Sequence, residues 1–79
     1  MKFVYLSAAG ASDPTRFSIP LHLAANGSVE VGQDACVVLA GDATEVLIGD
    51  TAEQMQGVGI PSVRELLAKL RDHAVPIYV

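Results

Sequence analysis

Only a few side chains of this chain combine a reactive group with a suggestive position. Cys36 is the single thiol of the 79 residues. It lies in an apolar run, where a cysteine usually packs as a small hydrophobe; the alternative is redox or persulfide chemistry. His22 is interpreted as a structural residue, with an acid/base role as the alternative, and His73 as a cation at a helix end. Because no Ser-His-Asp set, carboxylate pair or metal-ligand spacing occurs, the sequence predicts no catalytic residue, metal or cofactor.

The candidate ligand-binding residues follow a predicted strand or lie in a glycine-rich loop; they are Ser7, Ala8, Gly10, Gly41, Asp42 and Gly57. The Ser7–Gly10 stretch could present backbone N–H groups to an anion ahead of a helix. Asp42 could bind a ligand or cap a helix that begins near Thr44. The loop around Gly57 could move as a lid, although loop geometry is the simpler interpretation. Neither a G-x-G-x-x-G nor a G-x-x-x-x-G-K pattern occurs, so no nucleotide site is predicted.

Three apolar segments predict strands, and they cover Phe3–Leu6, Ala35–Ala40 and Val75–Val79. The first is almost continuously apolar, which is typical of a strand buried on both faces. Each strand is separated from the next by segments with helical patterns. This order predicts one α/β domain over residues 1–79, with parallel strands and right-handed crossovers. Ligands bind beyond the carboxyl ends of such strands, where most of the candidate residues lie.

The helix predictions differ in strength along the chain. Ser62 and Glu65 form a capping box, and an apolar stripe continues the helix to about His73. Residues 15–32 are ambiguous, because Asn26-Gly27 is typical of a hairpin while small and apolar residues recur at helical spacing. We predict a helix there, capped by Ser12 or Asp13 with proline in its first turn. Short helical segments are predicted over 44–48 and 52–55, with Met55 in the core or lining a pocket.

Charge and hydropathy narrow the class of partner. The five lysines and arginines are scattered and the net charge is −4, which disfavours nucleic acid and anionic membrane surfaces. No apolar run could span a bilayer and no signal-peptide pattern is present, so a cytoplasmic location is predicted. Hydrophobic residues make up 51% of the chain, more than so small a core needs. A homo-oligomer, a dimer or a trimer, is therefore predicted.

The segments VVLAGDATEVL (37–47), GVGIPSVRELL (57–67) and VPIYV (75–79) resemble the DsrE/DsrF-like family of sulfur-relay proteins. The stretch Leu23–Gly27 resembles the first helix of that family. The resemblance implies a three-layer α/β/α fold, a small and mainly parallel sheet, oligomers, and a sulfur-carrier protein as a partner. Some members carry persulfide sulfur on a cysteine shortly after the strand that matches Val75–Val79.

This sequence has no residue at the position of that cysteine, and Cys36 does not match it. The chain could be a natural non-catalytic member, a truncated piece, or a reading frame ended at a selenocysteine codon. We predict a sulfur-relay-type domain that acts as a non-catalytic oligomeric binding or carrier module, with the third strand or its neighbouring helix near a subunit interface. The alternatives are a small-molecule enzyme with a site shared between subunits at the carboxyl edge of the sheet, and a purely structural oligomerisation domain.

Overall fold

A computed structural model describes residues 1–79 and shows three strands, two α-helices and three short helical segments. The strands are β1 (Lys2–Ser7), β2 (Asp34–Leu39) and β3 (Ile77–Tyr78), and the α-helices are α1 (Pro14–Leu23) and α2 (Val63–Asp72). A π-helix follows α1 over Ala24–Ser28, and 3₁₀ segments cover Gly41–Leu47 and Thr51–Gln54. The sheet is entirely parallel, in the order β1-β2-β3, which confirms the α/β class with a small parallel sheet.

Strand order decides where the helices lie. Lys2 pairs with Asp34 at one end of the β1–β2 ladder, and Ser7 pairs with Leu39 at the other. Each crossover moves one strand further in the same direction. Because such crossovers are right-handed, both α-helices must lie on the same face of the sheet. Residues of α1 and α2 accordingly share one buried cluster.

The opposite face of the sheet carries no helix, so the three-layer arrangement of the resemblance needs correcting: these 79 residues supply one helical layer. The prediction that the first strand is buried on both faces is wrong for the same reason. Val4 and Leu6 are 61% and 58% exposed, whereas Phe3 and Tyr5, on the helical side, are half-buried. We call the uncovered surface the open face; it comprises Val4, Leu6, Cys36, Val38 and Tyr78.

The segment 15–32 is helical up to Ser28, as predicted, and its last four residues form turns. Asp13 caps α1, because its Oδ1 accepts a hydrogen bond from the Arg16 N–H at 3.1 Å, and Pro14 occupies the first turn. Phe17, Leu21, Ala24 and Ala25 are fully buried in the core. Their burial outweighs the local hairpin preference of Asn26-Gly27, which instead lies in the π-helix.

The remaining elements agree with the sequence in type and differ in length. The Ser62 Oγ caps α2 by accepting from the Glu65 N–H at 3.2 Å, and His73 follows the last residue of α2. The helical segments predicted over 44–48 and 52–55 are both 3₁₀. The third strand is shorter than predicted: Ile77 and Tyr78 alone pair with β2, and Pro76 adds its carbonyl, which accepts from Val37 N–H at 2.9 Å. Neither α-helix has the length and hydropathy of a bilayer-spanning helix.

Candidate functional site

The carboxyl edge of the sheet brings four of the candidate residues together. A Cβ placed on Gly41 would lie 3.8 Å from the Ala8 carbonyl oxygen. A Cβ on Gly10 would lie 2.7 Å from the Asp42 carbonyl oxygen. Only glycine fits at position 10, because the two loops are already in contact there. Ala8, Gly10, Gly41 and Asp42 are therefore neighbours, as their positions after β1 and β2 predicted.

Ser7 belongs to the interior of the fold. Its side chain is 1% exposed, and its Oγ donates to the Phe17 carbonyl at 3.0 Å. This bond ties the end of β1 to α1. The hydroxyl group therefore binds within the core and does not contribute to a site at the carboxyl edge.

Glu45 is the residue at this edge that sequence reasoning missed. Its Oε1 accepts a hydrogen bond from the Ala11 N–H at 3.2 Å, and the same oxygen would meet a Cβ on Gly10 at 2.6 Å. The backbone N–H that a bound anion could use is therefore taken by a carboxylate of the chain itself. A signal was present, because Asp42 and Glu45 are three residues apart and a 3₁₀ helix places such residues on the same side.

Asp42 does not cap the helical segment. Ala40 precedes the segment without a side-chain cap, and the Thr44 Oγ1 donates to the Gly41 carbonyl at 2.9 Å. The Asp42 side chain is exposed and makes no hydrogen bond within the chain. Its carboxylate adds negative charge beside that of Glu45, which makes this edge unfavourable for a further anion.

Gly57 lies against the start of α1. Its neighbours are Thr15, Pro14 and Ile60, and a Cβ added there would lie 3.1 Å from the Thr15 Cα. The next residue is tied to the same helix, because the Val58 N–H donates to Thr15 Oγ1 at 3.0 Å. Gly57 thus serves close packing of its loop on α1 and is not among the neighbours of Gly10.

The other singled-out residues lie away from this edge. Cys36 is 5% exposed on the open face, beside Val4 in the register, and Met55 is 4% exposed in the core. His22 does have a partner: its Nδ1 lies 3.0 Å from Asn26 Nδ2, and the Asn26 Oδ1 accepts from Lys69 Nζ at 2.8 Å.

The same lysine binds Glu30. Lys69 Nζ lies 2.5 Å from Glu30 Oε1. The hydrogen bond and the positive charge of Lys69 hold the pKa of the Glu30 carboxyl below its usual value. This pair joins the turn after the π-helix to α2 at the surface.

Two cavities are present, and neither includes a candidate ligand residue. One, of about 310 Å³, lies at the amino ends of β2 and β3 and is lined by residues that include Gln33, Asp34 and His73. The other, of about 540 Å³, lies between α2 and the 3₁₀ segments and is lined by residues that include Leu47, Arg64 and Arg71. The open space on this molecule is therefore away from the carboxyl edge, where the loops fill the site with their own atoms.

Comparison of the chain with protein-family models, with curated proteins and with solved structures finds no match. The DsrE/DsrF-like resemblance and the sulfur-relay role stay predictions.

Proposed function

We propose that this chain is a cytoplasmic, non-catalytic binding or carrier module that assembles with further copies of itself, of the sulfur-relay type that the DsrE/DsrF-like resemblance suggests. The open face of the sheet carries this proposal. Val4, Leu6 and Tyr78 are each more than half exposed there. Parallel sheets in α/β proteins are ordinarily covered on both faces, and a contiguous apolar surface is typical of an interaction site.

A second copy suits the chemistry of the open face. The face is apolar along most of β1 and β2, and its charged end pairs Lys2 with Asp34 in the register, so opposite charges lie side by side there. Two such faces could pack about 10 Å apart, as stacked sheets do. The six-residue strands β1 and β2 and the two-residue β3 lie about 4.8 Å apart and cover roughly 200 Å², less than the ~800 Å² per partner of a stable complex. We therefore expect weak, concentration-dependent assembly.

The packing of the carboxyl edge favours a binding module over an enzyme whose active site is shared between subunits. Glu45 occupies the Ala11 N–H, and Gly10 is in close contact with the loop of Asp42. An enzyme that bound its substrate there would first have to separate these loops. The sulfur-carrier partner of the proposal rests on the resemblance alone, since Cys36 is 5% exposed and does not match the reactive cysteine of that family.

Sedimentation velocity over a concentration series tests the assembly. Leu6→Lys places a charge on the open face, and Val58→Lys is the matched control, because Val58 is an exposed residue of the 57–59 loop. We expect the wild-type chain and Val58→Lys to associate alike, and Leu6→Lys to remain monomeric. A wild-type chain that stays monomeric up to about 1 mM, far above the range of specific interfaces, would contradict the proposal.

Treatment with a persulfide donor, followed by intact-mass measurement, tests the absence of catalysis. A stable persulfide that disappears in Cys36→Ser would replace the proposal with a sulfurtransferase. We expect no such adduct on the folded chain, because the Cys36 side chain is buried.

A further inference from the structure

The larger cavity is a groove along one side of α2, on the helical side of the molecule and away from the open face. We call it the α2 groove. Its volume is about 540 Å³, within the ~300–1,000 Å³ range of binding pockets. Its floor is apolar: Leu67 and Ala68 come from α2, and Leu47 and Ala52 come from the 3₁₀ segments. Leu47 is 48% exposed, so this floor is open to solvent.

A guanidinium lies at each end of the floor. Arg64 and Arg71 are seven positions apart in α2, which is close to two helical turns, so they share a side of the helix about 10.5 Å apart along its axis. They are two of only five lysines and arginines in a chain of net charge −4. The α2 groove thus has two of the few cationic side chains of an otherwise acidic protein on its lining.

Both arginines keep donors for another partner. Arg64 Nη1 lies 3.5 Å from Glu53 Oε2, and Arg71 Nε lies 3.4 Å from Asp72 Oδ1. The two arginine side chains are 74% and 77% exposed, so these are long surface ion pairs that contribute little. A guanidinium carries five N–H donors, and each of these pairs uses only one or two of them.

We propose that the α2 groove binds an acidic amphipathic helix of a partner protein, one with two carboxylates seven positions apart and apolar residues between them. Both helices have the same rise per residue, so in a nearly aligned crossing the carboxylates match Arg64 and Arg71 while the apolar residues meet Leu67 and Leu47. A small monocarboxylate could reach only one guanidinium. The proposal is independent of self-assembly, because the open face is on the other side of the sheet.

Glu53 provides a test of the charge requirement of the proposed binding. Its carboxylate lines the α2 groove and pairs with Arg64, so it repels an incoming carboxylate and competes with it for that guanidinium. Glu53→Gln removes this competing charge and keeps the shape of the side chain. We therefore expect Glu53→Gln to strengthen the binding of an acidic helix.

A synthetic helical peptide with glutamates seven positions apart and leucines at the third and fourth positions after the first glutamate is the probe. Binding to the 79-residue chain is measured by fluorescence anisotropy and by ¹⁵N chemical-shift changes. We expect changes confined to α2 and residues 47–53, about tenfold or greater weakening in the Arg64→Glu/Arg71→Glu double variant, and a few-fold gain in Glu53→Gln. Arg16→Glu is the matched control, since Arg16 is an exposed, ion-paired arginine on α1, and it should bind as the wild type does.

A second peptide, with lysines in place of both glutamates, distinguishes loss of charge complementarity from loss of folding. It should bind the charge-reversed double variant better than the wild type, which also shows that the variant is folded. Equal binding of the two peptides by the wild-type chain, or shift changes on the open face instead, would overturn the proposal. Shift changes at the α2 groove with decanoate but with neither peptide would also overturn it, in favour of a small anionic amphiphile.

Discussion

The two faces of the sheet use similar residues to opposite effect. On the helical side, Val37 and Leu39 are buried under α1 and α2, whereas on the open face Val4 and Leu6 remain mostly exposed. Apolar residues of two adjacent strands therefore differ more in their surroundings than in their chemistry. Strand order causes the difference, because two right-handed crossovers in the same direction place both helices on one side. Hydrophobicity alone does not reveal which face of a strand is covered.

Truncating one leucine on each side of the sheet tests this difference most directly. Leu70 is fully buried, and Leu6 is 58% exposed. We expect Leu70→Ala to lower the free energy of unfolding by about 2–5 kcal/mol, through lost burial and a residual cavity. Leu6→Ala should change it by less than about 1 kcal/mol. Urea denaturation of dilute protein, where self-association is minimal, measures both values; equal losses would show that the open face is covered within a single chain.

A substitution at Gly10 tests whether the tight packing of the helical side extends to the carboxyl edge of the sheet. A Cβ there meets Glu45 Oε1 at 2.6 Å and a backbone oxygen of Asp42 at 2.7 Å, so the loops must separate. We expect Gly10→Ala to cost about 1–3 kcal/mol in the same assay. Gly27→Ala is the control, because no atom lies within 4 Å of its Cβ position, and it should be neutral or stabilise by up to about 1 kcal/mol. Similar effects of the two changes would mean that the carboxyl edge is loosely packed.

The smallest effect is expected at the surface rim of the helical side, where charge rather than packing holds the contact. Lys69 lowers the pKa of Glu30 in the folded chain, so the stabilisation is present above the ordinary glutamate pKa of about 4.3. It is lost as the pH falls through the lower, folded value. Glu30→Gln should therefore reduce stability slightly near neutral pH and make no difference in strong acid. Urea midpoints at several pH values measure this, and a Glu30→Gln deficit that persists below about pH 3 would point to lost packing instead.

The sequence was sufficient to predict the parts of the fold that depend on local chemistry. The Ser62 and Asp13 caps, the helical structure of 15–32 as far as Ser28 and the parallel strand pairing are confirmed. It did not show that β1 has an open face, because Phe3–Leu6 is apolar at every position and carries no alternation. That exposure depends on which side the crossovers place α1 and α2, a property of the whole chain.

The position of the candidate site was predictable from the sequence, but the contacts between its residues were not. Ala8, Gly10, Gly41 and Asp42 lie together because the ends of parallel strands share an edge. How closely the two loops approach cannot be inferred from residue types and spacing, so the bond between Glu45 and the Ala11 N–H was not predictable. In the sequence the two arginines of the α2 groove are scattered cations, although their spacing in a capped helix places them on one side.

The pairing of β1 with β2 also bears on how fast the chain folds. Lys2 pairs with Asp34 about thirty positions later, so the first contact of that ladder must close a long loop before the remaining bonds can form. The turns of α1 and α2 form locally, on a microsecond scale, and do not wait for this search. We therefore expect the pairing of β2 with its two neighbouring strands to limit the folding rate, and Val37→Ala, which lies in both ladders, to slow refolding more than a change in α2 of equal thermodynamic effect.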